Sequence, residues 1–398
     1  MVQYESPILG PNHPGPRPLV SAAHPGSPSC RSRWATLAVA CLPALTACLQ
    51  RELAGSGVGA AEASLFLSAD LSGTAIVTVT ADVTASDIPT ALAFDLPIAN
   101  SVAAGTITLP AGSNRTIALS AYDAQGVETH SGSVTLSIQP GSNPAISLVL
   151  ARLWPNEPAG FTRITENPFD AVPPIIATAA SDYWFANDAT LMSIISDSTA
   201  PKSSPLVAGS HFTPAGAFHD GVSATSVERD FTDGGGVNYP RLYVSVWVKH
   251  SSNWVPHPVG SKFVWFQTPA SCNGRHATYA TYNGPLMQVG VNQQNCEDRI
   301  MLANVGDTTY WYEAQRLGTW HRYEYLLEMN TGSQADGRLY LWVDGHLVAN
   351  YSDVIWVPSA ADPHEWNGFR WENTYGGAGG SNADQWEFVD HIYVSGGN

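Results

Sequence analysis

Three neighbouring runs decide the fold: Thr319-Trp-His-Arg-Tyr-Glu-Tyr-Leu-Leu-Glu-Met329, Arg338-Leu-Tyr-Leu-Trp-Val-Asp344 and His346-Leu-Val-Ala-Asn-Tyr351. Polar and apolar side chains alternate along them, and aromatic residues are frequent, which is the pattern of strands with one face buried. Asp344-Gly345 between the second and third runs is a two-residue hairpin turn. A helix would need apolar residues three and four apart, and no segment of the chain sustains that spacing over a dozen residues.

The same pattern extends in both directions. Strands are expected over 242–250 (LYVSVWVKH), 261–267 (SKFVWFQ), 276–282 (HATYATY), 286–292 (LMQVGVN), 299–304 (RIMLAN), 368–375 (GFRWENTY) and 387–395 (EFVDHIYVS). Between 153 and about 240 the chain reads as loop-rich, with short strands at 183–186 and 227–231. Upstream, short β runs at 64–70, 74–83, 90–96, 105–109, 115–122, 133–139 and 145–150 are separated by turn-rich segments, as in a sandwich rather than in βαβ units. The chain is therefore expected to be all-β. Its domains are a leader over 1–48, a tether over 49–62, a small sandwich over 63–152 and a larger domain over 153–398.

Two resemblances follow. Pro110-Ala-Gly-Ser-Asn-Arg115 and Tyr122-Asp-Ala-Gln-Gly126 resemble the turns of immunoglobulin-like or carboxypeptidase-regulatory-like modules that follow the lipid anchor in many surface lipoproteins, which implies a spacer. Gly318-Thr-Trp-His-Arg-Tyr-Glu-Tyr325, Asn330-Thr-Gly with Asp336-Gly-Arg-Leu-Tyr-Leu-Trp-Val-Asp-Gly-His346, and Asp390-His-Ile-Tyr-Val-Ser395 resemble the concanavalin A-like lectin/glucanase jelly roll, which also occurs in polysaccharide lyases. That resemblance covers 153–398. It implies a two-sheet sandwich whose ligand, where there is one, is a polysaccharide or glycoconjugate, and a shared fold does not choose among lectin, hydrolase and lyase.

The beginning of the chain implies export. Residues 1–30 are rich in Pro, Gly, Ser and His. Arg31 and Arg33 then precede an apolar run from Trp34 to Ala47, too short to anchor in a bilayer, that ends in Leu45-Thr-Ala-Cys48. This is similar to a lipoprotein signal peptide, which implies lipidation of Cys48 and a membrane partner through that lipid at the bacterial cell envelope. Of the five cysteines, Cys30 and Cys41 would leave with the leader. Cys272 and Cys296 then remain as one expected disulfide in an oxidising compartment.

Hydrophobic residues make up 44% of the 398 and charged residues only 13%, which excludes a disordered chain. The net charge of −16 argues against nucleic acid as a partner, because an acidic surface repels phosphate. No CxxC, HExxH or Asp-rich calcium loop occurs, so no metal or other cofactor is expected.

The chemistry follows from which polar groups strands can present together. A retaining glycosidase of this fold needs an E-x-D-x-x-E run placing two carboxylates about 5 Å apart, and the chain has none. A lyase needs a cation or amide against the substrate carboxylate, a base, and an acid, because the proton beside the carboxylate is weakly acidic. The characteristic strand motifs of alginate lyases are absent, although the residue types are present. Candidates for catalysis are His276, Tyr282, Arg275 and Lys262. Candidates for substrate binding are Gln267, Tyr279, Arg322, Arg370, Glu372 and Trp371. The first reading is a surface lipoprotein that binds or processes extracellular carbohydrate. A lyase acting on uronate-containing glycans and a non-glycan adhesion module are the alternatives, and a cluster of cations on one face would favour the lyase.

Overall fold

A computed structural model describes residues 61–124, 126–169, 184–186, 192–203, 205–212, 223–255, 257, 260–272, 274–283, 286–294, 296–375 and 383–398. Within these, the side chains of 185–186, 223–226, 279–283 and 286 are not described. Cys48 and the leader lie outside the described residues.

The first sandwich runs through β1 (Glu62–Asp70), β2 (Thr78–Ala85), β3 (Ile88–Asp95), β4 (Ile98–Ala99), β5 (Val102–Pro110), β6 (Gly112–Tyr122), β7 (Glu128–Ile138), β8 (Gly141–Ser142), β9 (Ile146–Leu148) and β10 (Ala151–Arg152). One sheet has the order β4-β5-β1-β8, with β9 also pairing β1, and the other has β10-β7-β6-β2-β3. Alternate residues supply the core: Leu65 and Leu67 of β1, Val79 and Val83 of β2, and Ile117 and Leu119 of β6 are all buried. The run expected as one strand over 145–150 is split, because the chain crosses there from β1 in one sheet to β7 in the other. Arg115 is buried among these strands. It donates to Pro110 O and Ala111 O and pairs with Asp87, so its charge is matched.

The second sandwich contains β11 (Thr162–Asn167), β12 (Phe185–Ala186), β13 (Met192–Ser196), β14 (Leu206–Phe212), β15 (Ser223–Asp230), β16 (Arg241–His250), β17 (Ser261–Gln267), β18 (Arg275–Asn283) and β19 (Leu286–Gln294). It continues with β20 (Ile300–Leu302), β21 (His321–Glu328), β22 (Gly337–Val343), β23 (His346–Val354), β24 (Gly368–Tyr375) and β25 (Gln385–Gly397). Eight strands form one sheet, β13-β14-β25-β16-β21-β22-β23 with β11 on β25; seven form the other, β12-β15-β24-β17-β18-β19-β20. The chain is all-β, as expected.

The inner faces meet in one aromatic-rich core. Val244, Val246 and Val248 of β16 face it together with Tyr323, Tyr325 and Leu327 of β21, and Phe263, Phe266, Phe369 and Trp371 come from the opposite sheet. The β22–β23 hairpin turns on Asp344 and Gly345, both at positive φ (52° and 79°), the conformation that this turn requires. Cys272 and Cys296 form a disulfide with Cα atoms 5.3 Å apart, tying the β17–β18 loop to the residues after β19.

The segment read as loop-rich holds three strands that alternation did not reveal, β11, β13 and β14. Their sequences (TRITEN, MSIIS, LVAGSHF) lack a clean two-residue contrast. What fixes them is pairing with one another and with the long β25, a tertiary effect that overrides weak local pattern.

Candidate functional site

The seven-stranded sheet turns one face to the core and the other away from it. Antiparallel register tells which residues share the outer face, since directly opposed residues lie on the same side. Glu228 of β15 stands opposite Arg370 of β24, Arg370 opposite Trp265 of β17, and Gln267 of β17 opposite Arg275 of β18. Glu372 follows two residues after Arg370 on the same side.

Simple alternation separates Lys262 from Gln267. A β-bulge between Lys262 and Trp265 inserts an extra residue and brings both to the outer face. The Lys262 ammonium lies 5.2 Å from the centroid of the Trp265 ring, and Trp265 donates its indole N–H to Glu372 O at 3.0 Å. Burial holds the Lys262 ammonium below the ordinary lysine range, with Glu372 acting in the opposite direction.

Arg370 is the hub of this face. Its guanidinium is 3.1 Å from Glu228 Oε2 and 3.3 Å from Glu372 Oε2. With the Gln267 amide oxygen turned toward it, Arg370 also donates to Gln267. Beside this cluster is a depression of about 130 Å³ lined by Gln267, Thr268, Gly274, Arg275, Asn367 and Arg370. Arg275 is exposed at its edge. Thr268 Oγ1 and Asn367 Oδ1 are shielded from water without a hydrogen-bond partner among the described residues.

The outer face therefore unites Lys262, Gln267, Arg275, Arg370 and Glu372. Tyr279 pairs in register with Lys262, but its side chain and that of Tyr282 lie outside the described residues. Three candidates fall elsewhere and are corrected. His276 faces the core and is fully buried, edge-on to Trp356 and Trp366 at 5.0 and 5.5 Å. Burial pushes its pKa down to about 3, so it is a neutral ring closed off from any glycan. Trp371 is equally buried, donating to Glu387 Oε1 at 3.0 Å and lying edge-on to Phe169, and presents no ring face for a sugar. Arg322 belongs to the eight-stranded sheet, where it donates to Leu153 O at 3.1 Å and pairs with Glu324 at 3.0 Å. It braces the linker between the sandwiches.

The sequence did not point to a second polar cluster, inside the sandwich. His250, Glu313, Arg316 and Glu387 are each at least nine-tenths buried. Tyr323 donates to Glu313 Oε1 at 2.8 Å and Arg316 to the same oxygen at 3.0 Å, while His250 Nδ1 lies 3.6 Å from Glu313 Oε2. Two cations and two carboxylates balance one another out of contact with water, which marks this cluster as part of the interior rather than as a binding surface. The readable clue was parity: His250 continues the inward set Val244, Val246, Val248, and Glu387 shares the side of Val389.

No protein-family model matches the chain, and no curated protein matches it in sequence. Among solved structures it is similar to an alginate lyase from Chlorella virus, with 13% identity and a TM-score of 0.40 over 58% of this chain and 100% of that one. An endo-beta-1,4-glucuronan lyase from the fungus Trichoderma reesei gives 15% identity and a TM-score of 0.36 over 54% of this chain and 91% of that one. The Emp47p carbohydrate recognition domain gives 11% and 0.37 over 61% and 100%. At such identities and scores nothing about the chemistry of this chain follows from the likeness.

Proposed function

We propose that the outer face of the seven-stranded sheet binds an extracellular polysaccharide, and that the protein is held at the cell envelope by lipid on Cys48. The observation that carries the binding site is the Arg370 hub, with Glu228, Glu372 and Gln267 around it and Arg275 beside the adjoining depression. Sugar hydroxyls need donors and acceptors fixed in space, and side chains locked to one another on strands lose little entropy on binding. In a chain of net charge −16, Arg275 and Lys262 add two cations to a face where Arg370 is matched by Glu228 and Glu372, so cations outnumber carboxylates among these five groups. An acidic glycan is thus favoured over a neutral one here.

The second reading is a lyase that cleaves such a glycan by β-elimination. It is favoured by Lys262, an amine on the same outer face as Arg275 and Gln267: it would serve as the base for the weakly acidic proton beside a carboxylate, and they as the groups that neutralise that carboxylate. The elimination would leave a double bond in the new non-reducing sugar and return the proton to the departing oxygen.

A glycan array followed by ultraviolet detection of unsaturated uronate tests both readings. Binding of acidic glycans that is weakened in Arg275→Ala supports the site, and new absorbance lost in Lys262→Ala supports the lyase. An array without hits, or hits indifferent to Arg275→Ala, would remove the proposed face. For the anchor, Cys48→Ala is expected to release the protein from membranes, and persistent retention would refute it.

A further inference from the structure

Two larger concavities, of about 330 and 400 Å³, open where the two sandwiches meet. Both are lined by Asp123, Thr129, Arg152, Glu157, Ala159 and Gly160, so they are lobes of one groove. Its walls come from the turn before β7, from the linker, and from Tyr393 on the outer face of the eight-stranded sheet. Sites for small ligands typically measure roughly 300–1,000 Å³ and favour domain junctions. This groove reaches that range; the depression beside Arg370 does not.

Its polar groups converge. Glu157 is only 12% exposed; its Oε1 accepts from Tyr393 at 2.8 Å and from Ser395 at 2.6 Å, and its Oε2 lies 3.8 Å from Arg152. Burial holds the Glu157 carboxyl above its ordinary range against those two donors and Arg152. The Arg152 side chain is 44% exposed. Beside Arg152, which pairs in register with His130, Thr129 Oγ1 and His130 Nδ1 share a hydrogen bond of 2.9 Å. Phe161 supplies an apolar wall, and at Gly160 (φ 83°) nothing lies within 4 Å of where a Cβ would stand, leaving the rim open.

The signs of charge choose the ligand. An anion attracted to Arg152 and Arg163 meets Glu157 and Asp123, and a cation meets the reverse. A hydroxyl both donates and accepts, so vicinal hydroxyls can give to the carboxylate and take from the guanidinium at once. We propose that this junction groove is a second saccharide site, independent of the outer face of the seven-stranded sheet, which takes a neutral mono- or disaccharide unit.

The test is saturation-transfer NMR on the full chain with glucose, galactose, N-acetylglucosamine and cellobiose, and with glucuronate and glucosamine as charged counterparts. At least one neutral sugar is expected to bind with its charged counterpart weaker. Arg152→Ala and Thr129→Val should each weaken that binding roughly fivefold, the loss of one hydrogen bond, while both variants keep the far-ultraviolet spectrum of the folded protein. Arg275→Ala should leave it intact. Absence of neutral-sugar binding at sugar concentrations on the order of tens of millimolar, or binding that survives both groove variants, overturns the proposal. Binding abolished by Arg275→Ala instead would also overturn it, and would return the sugar to the outer sheet face.

Discussion

His250 Nε2 stands 3.2 Å from Glu387 Oε2 inside the second sandwich, where both side chains are almost wholly shielded from water. Each belongs to a strand at the centre of the eight-stranded sheet, β16 and β25, so the pair joins two neighbouring backbones through charge. Glu387 also accepts from Trp371 of the opposite sheet at 3.0 Å, and His250 reaches Glu313 of the loop before β21. The His250–Glu387 pair thus ties together both sheets and a loop.

The pH dependence of stability follows. Burial alone would lower the His250 pKa, but Glu313 and Glu387 outweigh it and raise it to about 9. An unfolded histidine titrates near about 6.5. A folded pKa above the unfolded one means a contribution that is complete below about pH 6.5 and is lost as pH climbs through about 9. Glu313 is shifted the other way: burial opposes the shift, but Arg316, His250 and Tyr323 hold it well below the carboxylate range. Its contribution is present at neutral pH and lost only in strong acid. Thermal midpoints should fall between pH 6.5 and 9 in the native chain. In His250→Gln that decline should be absent, and the loss of one partner from the network should cost about 3–5 kcal/mol at pH 6. An unchanged slope in the variant would show that His250 does not carry it.

His276 predicts the opposite outcome. Both of its ring nitrogens are buried without a hydrogen-bond partner among the described residues, and an unmade hydrogen bond on a buried polar group costs about 1–3 kcal/mol. His276→Leu, an apolar side chain of similar reach among Trp356 and Trp366, should hold or raise the thermal midpoint and leave glycan binding unchanged. A variant that folds normally yet loses binding or turnover would restore a functional role to this residue.

These two histidines show where sequence reasoning stops. Alternation located the strands from 241 onward and placed Phe369, Trp371, Asn373 and Tyr375 on one face of β24, all of them buried. It could not say which face of β18 turns inward, because one side offers His276 and Thr278 and the other Arg275 and Ala277, and neither is plainly apolar. Packing against two tryptophans from distant loops decided the matter. The bulge that unites Lys262 with Gln267 is likewise a property of three paired strands and leaves no mark in β17 alone.

On the outer face, Arg370 and Arg275 should separate structure from binding. Removing Arg370 leaves Glu228 and Glu372 facing one another without their shared cation, so Arg370→Ala should lower the thermal midpoint as well as any binding. Arg275 is exposed, so Arg275→Ala should leave the midpoint alone, weaken an acidic glycan several-fold, and flatten the dependence of binding on salt. Titration calorimetry at two ionic strengths checks this. Equal effects of the two variants on stability would contradict the assigned environments.

The disulfide gives the last prediction. Cys272 and Cys296 are 24 residues apart in sequence, and closing a loop of that size contributes about 3 kcal/mol by restricting the unfolded chain. The bond also borders the depression beside Arg370: a Cβ on Gly274 would lie 2.9 Å from Cys296 Sγ and 2.6 Å from Thr268 Oγ1, so the bond backs the wall that carries Thr268 and Arg275. The first sandwich, over 62–152, contains no cysteine. Reduction, or the Cys272→Ser/Cys296→Ser pair, should therefore speed backbone hydrogen exchange in β17, β18 and β19 while β1, β2 and β6 keep their protection. It should also weaken acidic-glycan binding more than neutral-sugar binding in the junction groove, since only the former borders the bond. Uniform loss of protection across both sandwiches would mean that the two fold as one cooperative unit. Labelling of both thiols in the native, unreduced protein would show that the bond does not form.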